Sequence, residues 1–345
     1  MKILVFEYIT GGGFNKQALP DSLAGEGRLM LNALLDNLAR LPNLEVTVML
    51  DWRLADTLSE TCINTVIIKP EHDIVEEFSR LVMQSDWVWP IAPEFDGILQ
   101  NLCQTVESLG KILLTSPAAA VAIAGNKFKT YELLNRHQIA AVPTRMLGDE
   151  YCTSFDRLKT CLELVEGAGS EWVVKPVDGV GCADSYVITS RQDFERMAAR
   201  KGQYIIQPHL QGTKTSLSCL FKQGRGWLVC VNLQRFELVN QQYQLADIVV
   251  NHHQDLGGYQ SVITKIAQAL PELWGYVGID LIETAAQTWV LEINPRLTTS
   301  FVGIHDALGI NIAEAVLQLL HGEPTLNPTC NNAITVQAKQ DAHAS

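Results

Sequence analysis

Short apolar runs alternate with stretches of helical spacing through the first part of the chain. Residues 3–8, 46–50, 65–68 and 87–91 are rich in Val, Ile, Leu, Phe and Trp, which is typical of buried strands. Between them, residues 22–41 and 71–83 carry apolar side chains at helical spacing, with Asp21 or Ser22 as the N-cap of the first helix. Strand–helix alternation predicts a parallel sheet covered on both faces. We therefore predict an N-terminal α/β domain over residues 1–116.

The pattern changes after residue 116. Helices come first and strands follow from 117 to about 202, whereas strands dominate from 203 to 325. That last part also contains a helix near 262–270 and a final helix at 312–321, which Gly309 and Asn311 precede as turn and cap. Residues 326–345 lack strong periodicity, apart from a candidate strand at 333–338. The segregated order predicts an α+β module in two parts, 117–202 and 203–325, followed by a tail, 326–345.

Three polar side chains interrupt two late apolar strands. Asp280 lies in the first strand, and Glu292 and Asn294 lie two positions apart in the second. Side chains two apart on a strand share a face, and a turn at 285–288 would pair the two strands. Carboxylate and amide oxygens are ligands that Mg²⁺ or Mn²⁺ accepts together with phosphate oxygens. The three residues are therefore a candidate metal site, although an edge strand with solvated polar side chains explains them as well.

Two lysines and a loop of small residues form a candidate phosphate-binding site. Lys127 follows Gly125-Asn126 at the start of an amphipathic stretch, residues 128–137. Lys175 ends a buried-type strand and precedes a loop, residues 178–185, that contains Gly179 and Gly181. Glycines let backbone N–H groups approach phosphate oxygens closely, and a lysine in an apolar run needs an anion as its partner. A further strand over 204–212 is expected to break at Pro208.

Taken in order, these segments resemble the ATP-grasp superfamily. The resemblance covers about residues 118–318. It implies an N-terminal parallel-sheet domain followed by two ATP-grasp subdomains with ATP bound between them. It also implies that Lys127, Lys175, Gly179 and Gly181 contact the phosphates, that Asp280, Glu292 and Asn294 hold Mg²⁺ or Mn²⁺, and that Arg296 and Lys175 stabilise charge during phosphoryl transfer. Ile282 and Leu291 would form the apolar floor under adenine, although core packing explains both equally well.

The resemblance also places adenine against Gln207-Pro208-His209-Leu210. The Pro208 carbonyl would accept from the exocyclic amine, and the Leu210 N–H would donate to the ring. Proline is compatible with this role because it keeps its carbonyl. Gln207 and Lys214 stand where many members carry glutamate, which puts the hinge and ribose contacts in doubt.

The composition limits which kinds of binding partner the protein can have. The chain has 345 residues, 47% of them hydrophobic, which suits a globular protein with a full core. Its net charge of -12 argues against a nucleic-acid partner. Its 8 cysteines form no C-x-x-C pair, and no apolar run reaches transmembrane length, so we expect a reduced, cytoplasmic protein without a membrane partner. The sequence leaves the oligomeric state open, and a homodimer is compatible with it.

Two rival interpretations are weaker. A dinucleotide site at residues 11–13 fails the G-x-G-x-x-G spacing, which argues against an NAD-type oxidoreductase. His252-His253 invites a metal site, but no carboxylate at helical or strand spacing accompanies the pair, so a solvated loop is the better interpretation.

The family resemblance implies an ATP-dependent carboxylate–amine ligase that acts on two small molecules through an acyl phosphate. F-E-Y-I-T-G-G-G near the N-terminus and E-I-N-P-R-L-T-T-S-F-V-G after residue 291 look most like the tyramine–glutamate ligase group of methanofuran biosynthesis. The alternatives are another ATP-grasp ligase that acts on amino acids, similar to D-Ala-D-Ala ligase or to carbamoyl phosphate synthase, and a non-catalytic ATP-binding relative. The candidates for choosing the substrates are Glu7, residues 11–13, Pro93, Glu94 and residues 298–300. Glu94 would either attract an ammonium group or begin a helix.

Overall fold

Two sheets organise the chain in the computed structural model, which describes residues 1–57, 63–149, 152–162, 168–180, 184–253 and 256–338. Within these residues a five-stranded parallel sheet comes first, and a ten-stranded antiparallel sheet follows. This architecture confirms the predicted fold class, α/β at the N-terminus and α+β beyond it. The domain limits at 116, 202 and 325 stay predictions.

The first sheet has the strand order β3-β2-β1-β4-β5. Alternate residues of the central strand β1 enter different cores: Ile3 and Val5 lie in one cluster, Leu4 and Phe6 in another. Both faces are therefore covered, as the strand–helix alternation predicts. The strands are β1 (Lys2–Glu7), β2 (Glu45–Asp51), β3 (Asn64–Ile68), β4 (Trp87–Ile91) and β5 (Ile112–Leu113), and the helices up to residue 136 are α1 (Asp21–Ala39), α2 (Ile74–Gln84), α3 (Ile98–Ser108), α4 (Ala118–Ala124) and α5 (Lys127–Arg136).

The starts of two helices differ from the predicted ones. Asp21 and Ser22 are inside α1, which follows Pro20 without a side-chain cap, so the predicted N-cap is wrong. Proline fixes a backbone angle that leads into the helix without a capping oxygen. Helix α2 begins at Ile74 rather than 71, because the Asp73 carboxylate accepts from the N–H groups of Val75 and Glu76.

The second sheet has the order β14-β13-β10-β11-β12-β8-β7-β9-β6, with β15 paired to β12. Its two halves meet where Gln242 of β12 pairs with Tyr186 of β8. The strands are β6 (Arg145–Met146), β7 (Ala168–Pro176), β8 (Tyr186–Ile188), β9 (Tyr204–Leu210), β10 (Thr213–Lys222), β11 (Arg225–Val239), β12 (Gln242–His253), β13 (Gly275–Glu283), β14 (Thr288–Asn294) and β15 (Ile334–Gln337), and the helices are α6 (Phe155–Leu162), α7 (Arg191–Ala198), α8 (Gly257–Ala269), α9 (Ile304–Leu308) and α10 (Ile312–Gln318).

Strand β9 does not break at Pro208. It continues to Leu210, with Pro208 opposite Trp172 of β7. On its other side β9 pairs with β6 only at Ile205 and Ile206. Pro208 therefore lies at an edge of the sheet, where a missing N–H is tolerated.

The N-terminal sheet and the last helices share one hydrophobic core. Leu31 and Leu34 of α1 lie in the same cluster as Ile312 and Val316 of α10. Asn37 strengthens this contact, because its side-chain oxygen accepts from the Ile312 N–H (3.1 Å). The contact fixes the N-terminal domain against the strands that carry the polar residues described below.

Among the described residues, no single helix is long and apolar enough to span a membrane. The helical stretch Thr299–Leu308 and α10 reach the required length only when added together, and they are bent by 98°. Phe301, Ile304 and Val316 of this pair are buried in the shared core.

Candidate active site

The β13–β14 hairpin brings the three predicted metal ligands together. Asp280 lies directly opposite Glu292, and Gly278 lies opposite Asn294. The Asn294 side-chain N–H donates to Asp280 Oδ2 at 3.2 Å. The predicted pairing of the two strands is confirmed, and the turn closes where the Thr284 N–H donates to the Gln287 carbonyl.

A bulge in this hairpin explains why two consecutive residues line one cleft. After Asp280 pairs with Glu292, Leu281 pairs with Val290, so Leu291 is an extra residue in β14. Successive side chains on a regular strand point to opposite faces, but a bulge changes their direction. Leu291 and Glu292 both line the main cleft as a result.

The pKa values of the two carboxyl groups of the hairpin are shifted in opposite directions. Burial raises the pKa of Asp280 to about 8, and the neighbouring Glu292 adds to the rise, whereas hydrogen bonds from Asn294 and Gln234 oppose it. Burial would also raise the pKa of Glu292, but Lys127 and Lys175 outweigh it and lower that pKa to about 2. Glu292 is thus the fixed negative charge of the site.

Both predicted phosphate-binding lysines contact that charge. Lys127 Nζ is 3.1 Å from Glu292 Oε2 and donates to the Gly179 carbonyl at 2.5 Å. Lys175 Nζ is 3.8 Å from the same carboxylate oxygen. The two lysine side chains are 9% and 8% exposed, so neither is a surface lysine. Asn126 places Lys127 at the first position of α5 by accepting from the Lys129 N–H, and Lys175 is next to last in β7.

The donor set suits a hard divalent cation. Asp280, Glu292 and Asn294 offer oxygens alone, which Mg²⁺ and Mn²⁺ prefer over softer ligands. Burial and the neighbouring Glu292 are the two largest causes of the raised pKa of Asp280. A bound cation would stabilise the ionised Asp280 carboxylate against both. No cluster of three His, Cys, Asp or Glu residues that could hold a metal occurs in the part of the chain that the structure describes. The candidate site therefore depends on the amide oxygen and on ligand oxygens.

The main cleft lies between the two halves of the second sheet and measures about 800 Å³ out to its mouth. Ile282 and Leu291 pack with Val142, Leu210 and Trp289 in a small cluster that forms its apolar floor. Ile282 and Leu291 thus pack in a core and also line the cleft, and their predicted contact with adenine stays a prediction. Lining residues from both halves include Lys127, Val173, Lys175, Gly179, Gln207, Pro208, His209, Leu210, Lys214, Phe236, Tyr243 and Asp280.

The predicted hinge residues line this cleft, and polar contacts fix two of their side chains. Gln207 donates to Thr144 Oγ1 at 2.8 Å, and His209 contacts Glu171 at 2.7 Å and the Tyr243 hydroxyl at 2.6 Å. Lys214 lies with Nζ 3.3 Å from the Tyr243 ring centroid. Its ammonium thus rests on an aromatic face where many family members carry a carboxylate. The backbone contacts assigned to Pro208 and Leu210 stay predictions.

Only part of the glycine loop can be described. The Gly179 carbonyl accepts from Lys127, and the predicted contact of the Gly179 N–H group with a phosphate stays a prediction. Gly181 lies outside the described residues, and its predicted phosphate contact stays a prediction. Residue 180 lines a different cavity, described further below.

Arg296 is buried and bound to a carboxylate from the N-terminal domain. Its Nε and Nη2 donate to the two carboxylate oxygens of Glu94, each at 2.9 Å, and its Nη1 donates to the Leu297 carbonyl. Burial opposes the charge of Arg296, but Glu94 outweighs it and the pKa of the guanidinium is raised. Glu94 begins the helical turn Phe95–Gly97, as one of its two expected roles requires, but its carboxylate makes no cap contact there and pairs with a side chain 202 positions away.

A second cavity, here called the substrate cavity, begins where the main cleft ends. It measures about 590 Å³ and shares Gln234, Asp280 and Glu292 with the main cleft. Arg296 and residues 298–300 also line it, and the predicted role of 298–300 in choosing the substrates stays a prediction. Gln234 was not predicted: it lies on β11, and only the sheet register brings its side-chain N–H 2.9 Å from Asp280 Oδ1.

Two other sequence candidates have structural roles. The glycines at 11–13 form a tight π-helical turn, and Cβ atoms built on Gly11, Gly12 and Gly13 would lie within 2.7 Å of Phe6, Ile68 and Tyr8, respectively. Close packing explains this turn, and it lines neither the cleft nor the substrate cavity. His252 and His253 end β12 rather than forming the predicted loop, and their rings are 4.8 Å apart.

Comparisons with known proteins agree with this geometry. A family model described as an ATP-grasp domain matches residues 124–300, and one described as a pre-ATP-grasp domain matches residues 44–121. The chain is similar to the tyramine–L-glutamate ligase of Methanocaldococcus fervens, with 24% identity over 88% of this chain and 89% of that protein. This confirms the resemblance to the superfamily and to the narrower group.

Solved structures show the same fold. An ATP-grasp superfamily protein from Archaeoglobus fulgidus superposes with a TM-score of 0.70 and 21% identity, over 98% of this chain and 92% of that one. An ADP complex of N5-carboxyaminoimidazole ribonucleotide synthetase superposes with a TM-score of 0.66 and 16% identity, over 97% and 80%. Since the ATP-grasp family model covers more than half of the residues, the chain belongs to the ATP-grasp family.

Proposed function

We propose that this protein is an ATP-dependent ligase that joins a carboxylate to an amine through an acyl phosphate, releasing ADP and phosphate. One observation carries the proposal: Lys127, Lys175, Asp280 and Glu292 converge where the main cleft meets the substrate cavity. A phosphoryl group leaving a nucleotide in the cleft would pass these charges before it reached a carboxylate in the cavity.

The main cleft has the character of a nucleotide site. Its floor is apolar at Ile282 and Leu291, and its charged end carries the two lysines, the combination of apolar lining and a few polar groups that is typical of ligand sites. Gln207, Pro208 and Leu210 line the wall against which the base would rest. The solved relative that contains ADP supports this use of the cleft.

Lys127 and Lys175 would exchange partners when the nucleotide binds. Both contact Glu292 now, and phosphate oxygens would replace that carboxylate as their anion. Glu292, Asp280 and Asn294 would then be free to hold Mg²⁺ or Mn²⁺. The bound ion would neutralise charge on the β- and γ-phosphates.

Arg296 is positioned for the carboxylate substrate. It lines the substrate cavity, and Glu94 holds its guanidinium plane on one side. A fixed guanidinium can stabilise the charge on the transferring phosphoryl and on the tetrahedral intermediate that forms when the amine attacks. Buried walls around it, including Ser300 and Ile248, exclude the water that would hydrolyse an acyl phosphate.

We propose glutamate as the carboxylate and tyramine as the amine. The support is the similarity to the tyramine–L-glutamate ligase of Methanocaldococcus fervens over most of both chains. The role in methanofuran biosynthesis and the location in the cytoplasm are proposed on the same basis.

ADP and phosphate should form only when both substrates are present. With ¹⁸O in the glutamate carboxylate, label should appear in the released phosphate because one carboxylate oxygen leaves with the phosphoryl group. Mass spectrometry should identify a γ-glutamyl amide of tyramine. Phenethylamine, which lacks the phenol hydroxyl, should react orders of magnitude more slowly if a buried polar group recognises that hydroxyl.

Other products would change the proposal in defined ways. AMP and pyrophosphate would contradict it. Turnover with an amino acid as acceptor, and none with tyramine, would leave the ligase and overturn the substrates. Tight binding of Mg-ATP without turnover for any carboxylate–amine pair would identify a non-catalytic relative.

A Lys175→Met protein should bind Mg-ATP about tenfold more weakly, or worse, because a charge-assisted contact to phosphate is lost at a buried position. Isothermal calorimetry with a non-hydrolysable ATP analogue measures the dissociation constant directly. Lys265→Met is the matched control, since Lys265 is exposed on α8 and lines none of the cavities described here. Equal affinity in all three proteins would show that Lys175 is a structural residue.

A further inference from the structure

A third cavity, here called the N-terminal cavity, lies between the first domain and Arg296. It measures about 410 Å³ out to its mouth. Its walls come from the end of β1, the first turns of α1, the residues after β4 and the loop after β7. The lining residues are Glu7, Ile9, Leu23, Glu26, Met30, Ile91, Ala92, Pro93, Val180 and Arg296.

Acidic side chains outnumber basic ones around this cavity. Glu7 and Glu26 line it, and Glu94 lies behind Arg296, which is the one cation among the described lining residues. Arg296 uses Nε and Nη2 on Glu94 and Nη1 on the Leu297 carbonyl. Three carboxylates therefore share a single guanidinium, which favours a cationic ligand over an anionic one.

The two lining carboxylates differ in how their oxygens are used. Glu7 accepts from the Thr10 N–H (2.7 Å), the Thr10 hydroxyl (2.6 Å) and the Ile9 N–H (3.3 Å). It also packs under Gly27, where a Cβ would come within 2.6 Å of its Oε2. Glu7 is thus fixed by its own turn and by α1. Glu26 is less enclosed, and its Oε2 accepts from the Thr299 hydroxyl at 3.0 Å. Among the described residues no donor is found for its Oε1, which leaves that oxygen available to a ligand.

The rest of the lining is apolar. Leu23, Met30, Ile9 and Ile91 surround the carboxylates, and Ala92 and Pro93 complete the wall. Such a lining accommodates a hydrocarbon or aromatic body, whereas a strongly hydrated ligand would lose its water there without replacement.

We propose that the N-terminal cavity binds the acceptor amine, with Glu26 receiving the ammonium group and the apolar walls receiving the body of the molecule. This inference rests on the proposed ligase function. It predicts the substrate class as a primary amine on an apolar or aromatic body, and Glu26 as the residue that selects it.

Glu26 also lies in the correct place for the reaction. It lines the substrate cavity together with Arg296, Asp280 and Glu292, so it borders both cavities. An amine held by Glu26 would have its nitrogen beside the space where the carboxylate is activated. Burial raises the pKa of Glu26, against hydrogen bonding from Thr299 and the charge of Arg296, and an ammonium ligand would restore the ionised form.

Glu26→Gln tests the assignment in the full-length protein. With saturating Mg-ATP and glutamate, the KM for tyramine should rise roughly tenfold to a hundredfold, because a charge-assisted hydrogen bond is lost. The KM values for ATP and glutamate should stay within twofold. Asp36→Asn is the matched control, since Asp36 is an exposed acid on the same helix. A raised KM for glutamate instead of tyramine would overturn the proposal, since Glu26 would then recognise the other substrate.

Direct measurement of amine binding tests this inference independently of the ligase function. Calorimetry with a non-hydrolysable ATP analogue should detect tyramine and phenethylamine, but neither 4-ethylphenol, which lacks the ammonium, nor ethanolamine, which lacks the apolar body. Glu26→Gln should weaken tyramine binding by roughly tenfold to a hundredfold even if the wild type turns over no substrate pair. Equal tyramine affinity in wild type and Glu26→Gln, or no amine binding to the wild type, would overturn the proposal.

Leu23→Phe provides a second test that leaves the charges unchanged. The larger side chain should fill part of the cavity and weaken tyramine at least tenfold, while propylamine, whose body is smaller, keeps its affinity. Equal weakening of both amines, or of neither, would place the amine elsewhere.

Discussion

A Glu292→Gln protein is expected to turn over at least about a hundredfold more slowly than the wild type at saturating Mg-ATP. Glutamine nearly preserves shape but removes the negative charge that Lys127 and Lys175 now contact. We propose that this charge also holds a divalent ion that would offset developing phosphate charge, an effect of several kcal/mol. Steady-state ADP release over a range of Mg²⁺ concentrations measures the loss.

The control is Glu283→Gln, a second glutamate of the same hairpin. Its Oε1 accepts from the Thr215 and Tyr259 hydroxyls, and it lines neither the cleft nor the substrate cavity. This substitution should lower the melting temperature without changing the Mg²⁺ dependence. Wild-type turnover in Glu292→Gln at limiting Mg²⁺ would remove Glu292 from the metal site.

The second large effect is expected at Arg296. Arg296→Met keeps much of the side-chain volume but should lower turnover by roughly a hundredfold to a thousandfold, as the loss of a charge-stabilising donor does in other enzymes. It should also destabilise the protein by about 3–5 kcal/mol, because it leaves Glu94 buried without its partner. The affinity for Mg-ATP should change much less than turnover.

A double variant separates these two effects. Arg296→Met with Glu94→Gln removes both charges, so denaturant unfolding should show that most of the lost stability returns. Turnover should remain low if Arg296 acts on the substrates. Recovery of turnover along with stability would show that the guanidinium only holds the fold together.

The hydrophobic pattern was sufficient for most of the architecture. The four strands predicted before residue 116 are present, because each is a short run of mostly apolar side chains. The prediction was wrong where one residue sets a boundary: Pro20 starts α1 without a cap, and Pro208 stays inside β9. Whether Pro208 can stay inside β9 depends on which strand pairs with β9, and residue propensities alone do not contain that information.

The same limit applies to the site. Asp280, Glu292 and Asn294 were recognisable because two strands joined by a short turn pair with each other, so local sequence fixes their register. Glu26, Gln234 and Glu94 were missed or misread for the opposite reason. Each contacts a residue at least 46 positions away, and only the assembled fold determines that contact.

The Glu94–Arg296 contact also constrains how this protein can change over generations. Both side chains are almost fully enclosed, and each satisfies the charge of the other. Losing one of them alone leaves an unpaired charge in a poorly hydrated place, which most proteins of ordinary stability do not tolerate. Descendants can therefore replace these two positions together, or through an intermediate stabilised elsewhere, but seldom one at a time. In an alignment of relatives, positions 94 and 296 should therefore co-vary, although they lie in different halves of the gene.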